Sequence, residues 1–113
     1  MKPTLELIPG FVYYTDYTID GQSLEQWLFR FNNGYGASVI SGYGAYADKE
    51  HPYELAVLFF DGDTPSLAYP KTIKGDGPVE RLDADGVENI LKRISEFPAL
   101  TRTGEESDGN NEL

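Results

Sequence analysis

The side chains able to do chemistry are few in this sequence. His51 is the sole histidine and there is no cysteine. A thiolate nucleophile, a disulfide framework and metal sites built on thiolates are therefore excluded. His51 lies in Asp48-Lys49-Glu50-His51-Pro52-Tyr53-Glu54. Asp48, Glu50, His51 and Glu54 are donor types for a divalent metal, but their spacing matches no named ligand set, and one histidine among acids reads as a solvated loop. A serine triad would have to use His51. Ser38 and Ser41 precede it without the G-x-S-x-G turn that exposes a nucleophile. Asp61-Gly62-Asp63 and Asp83-Ala84-Asp85-Gly86 look like pieces of calcium loops, yet neither continues to the acidic ligand at the twelfth position. A turn and a helix cap account for both.

Two Gly-Tyr-Gly triplets occur, at 34–36 and 42–44. A phosphate loop needs G-x-x-x-x-G-K-[ST], or G-x-G-x-x-G opening a helix. Here the third glycine is missing and a strand follows. The triplets instead bring tyrosines into glycine-rich loops, where exposed tyrosines make good interface anchors. Tyr35, Tyr43 and Tyr46, with Asp48 and Glu50 beside them, are the candidate partner-binding residues. No catalytic residue, cofactor or metal is expected, and the chain reads as non-enzymatic.

These residues need elements to position them. Residues 4–8 are β-prone and end at the Pro9-Gly10 turn signal. Residues 11–18 are dense in aromatic and β-branched types, which suits a strand. Asp20-Gly21 reads as a hairpin turn. In 24–31, Trp27, Phe29 and Phe31 share one face at period two. Asn33-Gly34 is a strong hairpin signal, and 36–41 forms the next strand. Residues 42–52 are a loop. The most apolar strand is 53–60, with Tyr53, Leu55, Val57 and Phe59 on one side and Ala56, Leu58 and Phe60 on the other, so it is placed centrally. A turn at 61–63 leads to a short strand over 66–69, bracketed by Pro65 and Pro70, and 71–81 is a connector.

A helix is expected over 84–97. Val87, Ile90, Leu91 and Ile94 recur at i, i+3, i+4 and i+7. Asp83 is the preferred cap, with Leu82 and Val87 as a hydrophobic staple; Asp85 capping with Glu88 is the alternative frame. Strands followed by one helix mean α+β. The expected architecture is an antiparallel meander of about four to six strands with one C-terminal amphipathic helix packed on one face, that of Trp27–Phe31 and Tyr53–Phe59. Leu28, Ile40, Leu58 and Phe60 are left on the other face, where the N-terminal strands or a second copy would have to cover them. One domain is expected over 1–100, with 101–113 a disordered acidic tail.

The chain has 113 residues, of which 40% are hydrophobic and 19 are acidic against 9 basic. That supports a packed core. The net charge of −10 disfavours phosphate backbones and anionic membranes, which are held by Lys and Arg. Direct nucleic-acid binding and membrane binding are therefore not expected. No apolar run approaches the length that spans a bilayer, and the N-terminus lacks a signal-peptide stretch, so a cytoplasmic protein is expected. The acidic surface either confers solubility or imitates nucleic acid in a basic groove on another protein.

Phe29-Arg30-Phe31-Asn32-Asn33-Gly34-Tyr35-Gly36-Ala37-Ser38-Val39-Ile40, then Tyr53-Glu54-Leu55-Ala56-Val57-Leu58, Leu67-Ala68-Tyr69 and the capped helix up to Pro98 come in a telling order. The chain resembles a group of small, uncharacterised proteins of tailed bacteriophages that carry an NGYGASV hairpin, a YELAV strand and a C-terminal helix. The likeness covers roughly 27–98. It departs after Tyr69, where the group has an acidic-Thr-Pro-Ile stretch and this chain has Pro70-Lys71-Thr72-Ile73. What the resemblance implies is a source, and with it an accessory protein that binds and modulates or inhibits a host or defence protein. A self-associating module, a homodimer, is the alternative.

Overall fold

The computed structural model describes residues 5–42, 50–75 and 77–99. The chain opens with a 3-10 turn, Leu5–Leu7, followed by strands β1 Phe11–Ile19, β2 Gln22–Arg30, β3 Tyr35–Gly42, β4 Tyr53–Asp61, β5 Thr64–Leu67 and β6 Val79–Leu82, then helix α1 Ala84–Ser95. All pairings are antiparallel, and the order β1-β2-β3-β4-β5 follows the sequence. β6 also pairs β4, along Tyr53–Leu55, whereas β5 pairs it along Leu58–Asp61. The two short strands thus divide one edge of β4 between them. The fold is α+β: a curled antiparallel sheet with a single helix against it.

Turn chemistry sets the meander. Asp20 and Gly21 both have positive φ, 52° and 78°, as a two-residue type I′ hairpin turn requires. Cross-strand parity then sorts the side chains. Trp27 and Phe29 of β2, Tyr35, Ala37 and Val39 of β3, and Tyr53, Leu55 and Val57 of β4 all fall on one side and are buried. The stripe Val87, Ile90, Leu91 and Ile94 of α1 closes that side, and all four are buried. The helix packs on β3, β4 and β6. Asp83 caps it: the Oδ1 accepts from the Gly86 N–H at 2.8 Å.

The far end of the helix is held by a turn. The Asn33 side-chain amide donates to the carbonyls of Ile94 (2.9 Å) and Phe97 (3.1 Å) at the C-terminal end of the helix, where carbonyls run out of helical N–H donors. Its Oδ1 accepts from the Tyr35 N–H at 3.0 Å, and the Tyr35 ring meets Phe97 edge-on at 5.0 Å.

Several expectations are corrected. Within the stretch that reads as β-prone, Leu5–Leu7 is a 3-10 turn that drops Leu5 into the core, 2% exposed, and leaves Leu7 at 81%. The short strand begins at Thr64 rather than 66 and contains Pro65, which an edge strand tolerates. The 71–81 connector includes most of β6. The helix stops at Ser95, where the Glu96 N–H bonds the carbonyls of Arg93 and Ile94. The tail 101–113 lies outside the described residues.

Candidate binding surface

The face of the sheet opposite α1 carries Tyr13, Thr15, Tyr17 and Ile19 of β1, then Leu24, Gln26, Leu28 and Arg30 of β2, with Ser38 and Ile40 of β3 and Leu58 and Phe60 of β4 beyond. β1 does not fold over this face, as the sequence left open; it lies beside β2 and widens it. Leu28, Ile40 and Phe60 are half-buried by their neighbours and Leu58 is buried. The exposed row is on β1, where Tyr13, Tyr17 and Ile19 are 40–47% exposed.

Two polar assemblies brace this face. Tyr17 Oη donates to Gln26 Oε1 at 2.7 Å, and Gln26 Nε2 donates to Ser38 Oγ at 2.8 Å. That chain runs across β1, β2 and β3. Further along, the Arg30 guanidinium sits 4.4 Å from the Phe60 ring centroid. It also donates to Asp63 Oδ1 at 3.0 Å and to the Gly62 carbonyl at 2.5 Å. The cation is stacked and oriented rather than free to swing toward a ligand.

The helix-side face of β1 is acidic and aromatic. Tyr14 Oη donates to Glu25 at 2.8 Å, and Asp16 stands directly across from Glu25. The Tyr14 ring is 5.2 Å from Trp27, which in turn meets Tyr53 edge-on at 5.7 Å. The indole Nε1 of Trp27 is buried with no hydrogen-bond partner among the described residues. The bond to Glu25, with the charges of Glu25, Asp16 and Glu6, pushes the Tyr14 phenol up to about 12. Burial, then the charges of Glu25 and Glu6, also raises Tyr53.

The sign of the Tyr14 shift fixes a pH window. A phenol raised above its unfolded value of 10 stabilises the fold fully below pH 10, and that stabilisation is lost as pH rises toward about 12. Ultraviolet titration should show one tyrosine ionising near 12 in the native protein and returning toward 10 in Glu25→Gln. An unchanged titration in that variant contradicts the assignment.

Of the tyrosines singled out in the sequence, Tyr35 is not a surface anchor. It is the first residue of β3, only 3% exposed, and shares the core parity of Ala37 and Val39. Tyr43, Tyr46 and Asp48 lie outside the described residues. Glu50 is exposed just before β4. The exposed tyrosines of β1 are Tyr13 and Tyr17 on the open face and Tyr14 on the helix side, none of which the sequence reading took as candidates. Their pattern carries no clear signal, because aromatics at both parities suit a central strand as well as an edge.

A cavity of about 770 Å³ opens where the Pro9-Gly10 corner meets the Phe31–Asn33 turn and the end of α1. Leu91, Phe97 and Ile8 line it with Glu88 and Lys92, charges of opposite sign one turn apart on the helix. Among the described residues no group of three or more His, Cys, Asp or Glu is placed to hold a metal ion. Among them, too, no helix is long and apolar enough to cross a membrane. Comparison with family models, curated proteins and solved structures gives no match.

Proposed function

We propose that this protein acts by binding another protein, without catalysis, and that β1 with the adjoining open sheet face is where it binds. The observation that carries this reading is the row Tyr13, Tyr17 and Ile19, each 40–47% exposed on a braced sheet. Tyrosine presents a large amphipathic ring with few rotatable bonds, and buried tyrosines dominate interface energetics. The net charge of −10 steers such a surface toward a basic partner. The resemblance to small phage proteins supports a host or defence protein as that partner, and the acidic charge supports one whose site otherwise takes nucleic acid. The protein would modulate or inhibit it by occupation.

The test is capture from bacterial lysate at about 0.15 M and about 0.5 M salt, where screening shortens to a few ångströms. A specific protein should be held at the lower salt and released at the higher. Tyr13→Ser with Tyr17→Ser should weaken its affinity at least about tenfold while circular dichroism stays native. Equal capture by that double variant would show that the row is not the contact surface.

A further inference from the structure

β1 pairs only with β2, so among the described residues its second edge is open. The other open edges are guarded. β5 and β6 are four residues each, and β5 contains Pro65. β1 is nine residues, Phe-Val-Tyr-Tyr-Thr-Asp-Tyr-Thr-Ile, with neither proline nor lysine. Long edges of this composition are templates for another strand.

The hairpin dictates which groups face outward. A two-residue turn closes on the hydrogen-bonded pair Ile19↔Gln22, and such pairs recur at every second position: Tyr17↔Leu24, Thr15↔Gln26 and Tyr13↔Leu28. The N–H and C=O groups of Tyr14, Asp16 and Thr18 therefore point to the open edge. A strand laid there antiparallel would place the side chain facing Asp16 on the helix-side face, and the flanking side chains beside Tyr13, Thr15 and Tyr17.

Charge selects the occupant. Asp16 and Glu25 are directly opposed across β1 and β2, and like charges so placed are unfavourable. Among the described residues no cation forms an ion pair with either. A lysine or arginine on the added strand supplies the missing charge. A second copy of this chain fits poorly. The twofold pairing that uses the whole regular run 13–19 sets Asp16 against Asp16, each beside its own Glu25. Shifting the centre to Thr15 sets the irregularity between Phe11 and Tyr13 into the ladder, and shifting it to Tyr17 runs the ladder into the Asp20-Gly21 turn.

We propose that β1 accepts, as an added antiparallel strand, an extended segment of the partner protein in which Lys or Arg alternates with β-branched or aromatic residues. This rests on the reading that the protein works by binding. The probe is the capped peptide Thr-Lys-Val-Lys-Val-Lys-Thr, added to the full ¹⁵N-labelled chain. Binding should slow amide exchange at Tyr14, Asp16 and Thr18 at least tenfold, with little change at Thr15 and Tyr17. N-methylation of the three lysines keeps their charge but removes the N–H groups that face β1, and should weaken binding at least tenfold. Asp16→Asn should weaken it severalfold. Equal binding of the methylated peptide, or no protection at those three amides, overturns strand addition. Equal binding of the peptide with Glu for Lys overturns the charge selection. The same amides protected without peptide in a sedimenting dimer make the occupant a second copy, and overturn the proposal. A lysate partner that depends on Tyr13 and Tyr17, with no protection by the peptide, leaves the binding reading standing and removes strand addition alone.

Discussion

Phe29→Ala should cost about 4 kcal/mol of stability, the usual scale for a large aromatic removed from a closed core. Phe29 is fully buried in β2, opposite Phe11 on one side and Ala37 on the other. Its ring meets Phe11 edge-on at 5.9 Å. It therefore joins the first strand to the centre of the sheet under the helix. Removing it leaves a void that Ala37 is too small to fill. Domains of this size have roughly 5–15 kcal/mol in total, so a loss of this size takes between about a quarter and four-fifths of the margin. Urea titration should show a lower midpoint with an unchanged slope. A loss below about 1 kcal/mol would mean that the β1–β2 side is packed independently of the helix.

Gly36→Val should cost about 3 kcal/mol, although valine favours strands. Gly36 lies in β3 between Arg30 of β2 and Leu58 of β4. A Cβ there would collide with the Phe29 carbonyl oxygen and come within 2.7 Å of Phe60 Cε1. The glycine is the gap through which the Phe60 ring reaches across β3 toward Arg30. Valine would push the ring off, separate it from the guanidinium and strain the β2–β3 ladder. The melting temperature should fall by roughly 4–8 °C for each kcal/mol. Adding Phe60→Ala should recover part of the loss, because the ring is one of the two obstacles. Strict additivity would show that the backbone oxygen alone is the barrier.

The meander, its turns and the capped helix were legible in the sequence because each has a local cause. Asp20-Gly21 needs positive φ at two residues, and Asp83 sits three residues before a free N–H. The apolar stripe of α1 needed only the period of the helix. What escaped was decided at a distance. β6 is four residues among glycines and exists because β5 leaves half of the β4 edge unpaired. Leu5 is buried by where the Pro9-Gly10 corner sends the chain, not by its own neighbours. Tyr35 was placed in the turn because Asn33-Gly34 marks one; extending the strand by a single residue would have given it the parity of Ala37 and Val39. For the binding surface, alternation alone does not say which strand ends a sheet. That left Tyr13, Tyr14 and Tyr17 indistinguishable from core aromatics.

The Asn33 clamp has a consequence for how the chain matures. Its acceptors on Ile94 and Phe97 lie 61 and 64 residues further along. During synthesis the hairpins of β1 to β4 can form in order, each from neighbouring residues. Their apolar side then stands bare until α1 has been made and docks. The clamp closes only when residues 94–97 return to the first half of the chain, so a ribosome stalled before them would present an open, aggregation-prone sheet. Arrival of residues 94–97 and concealment of the core are the same event.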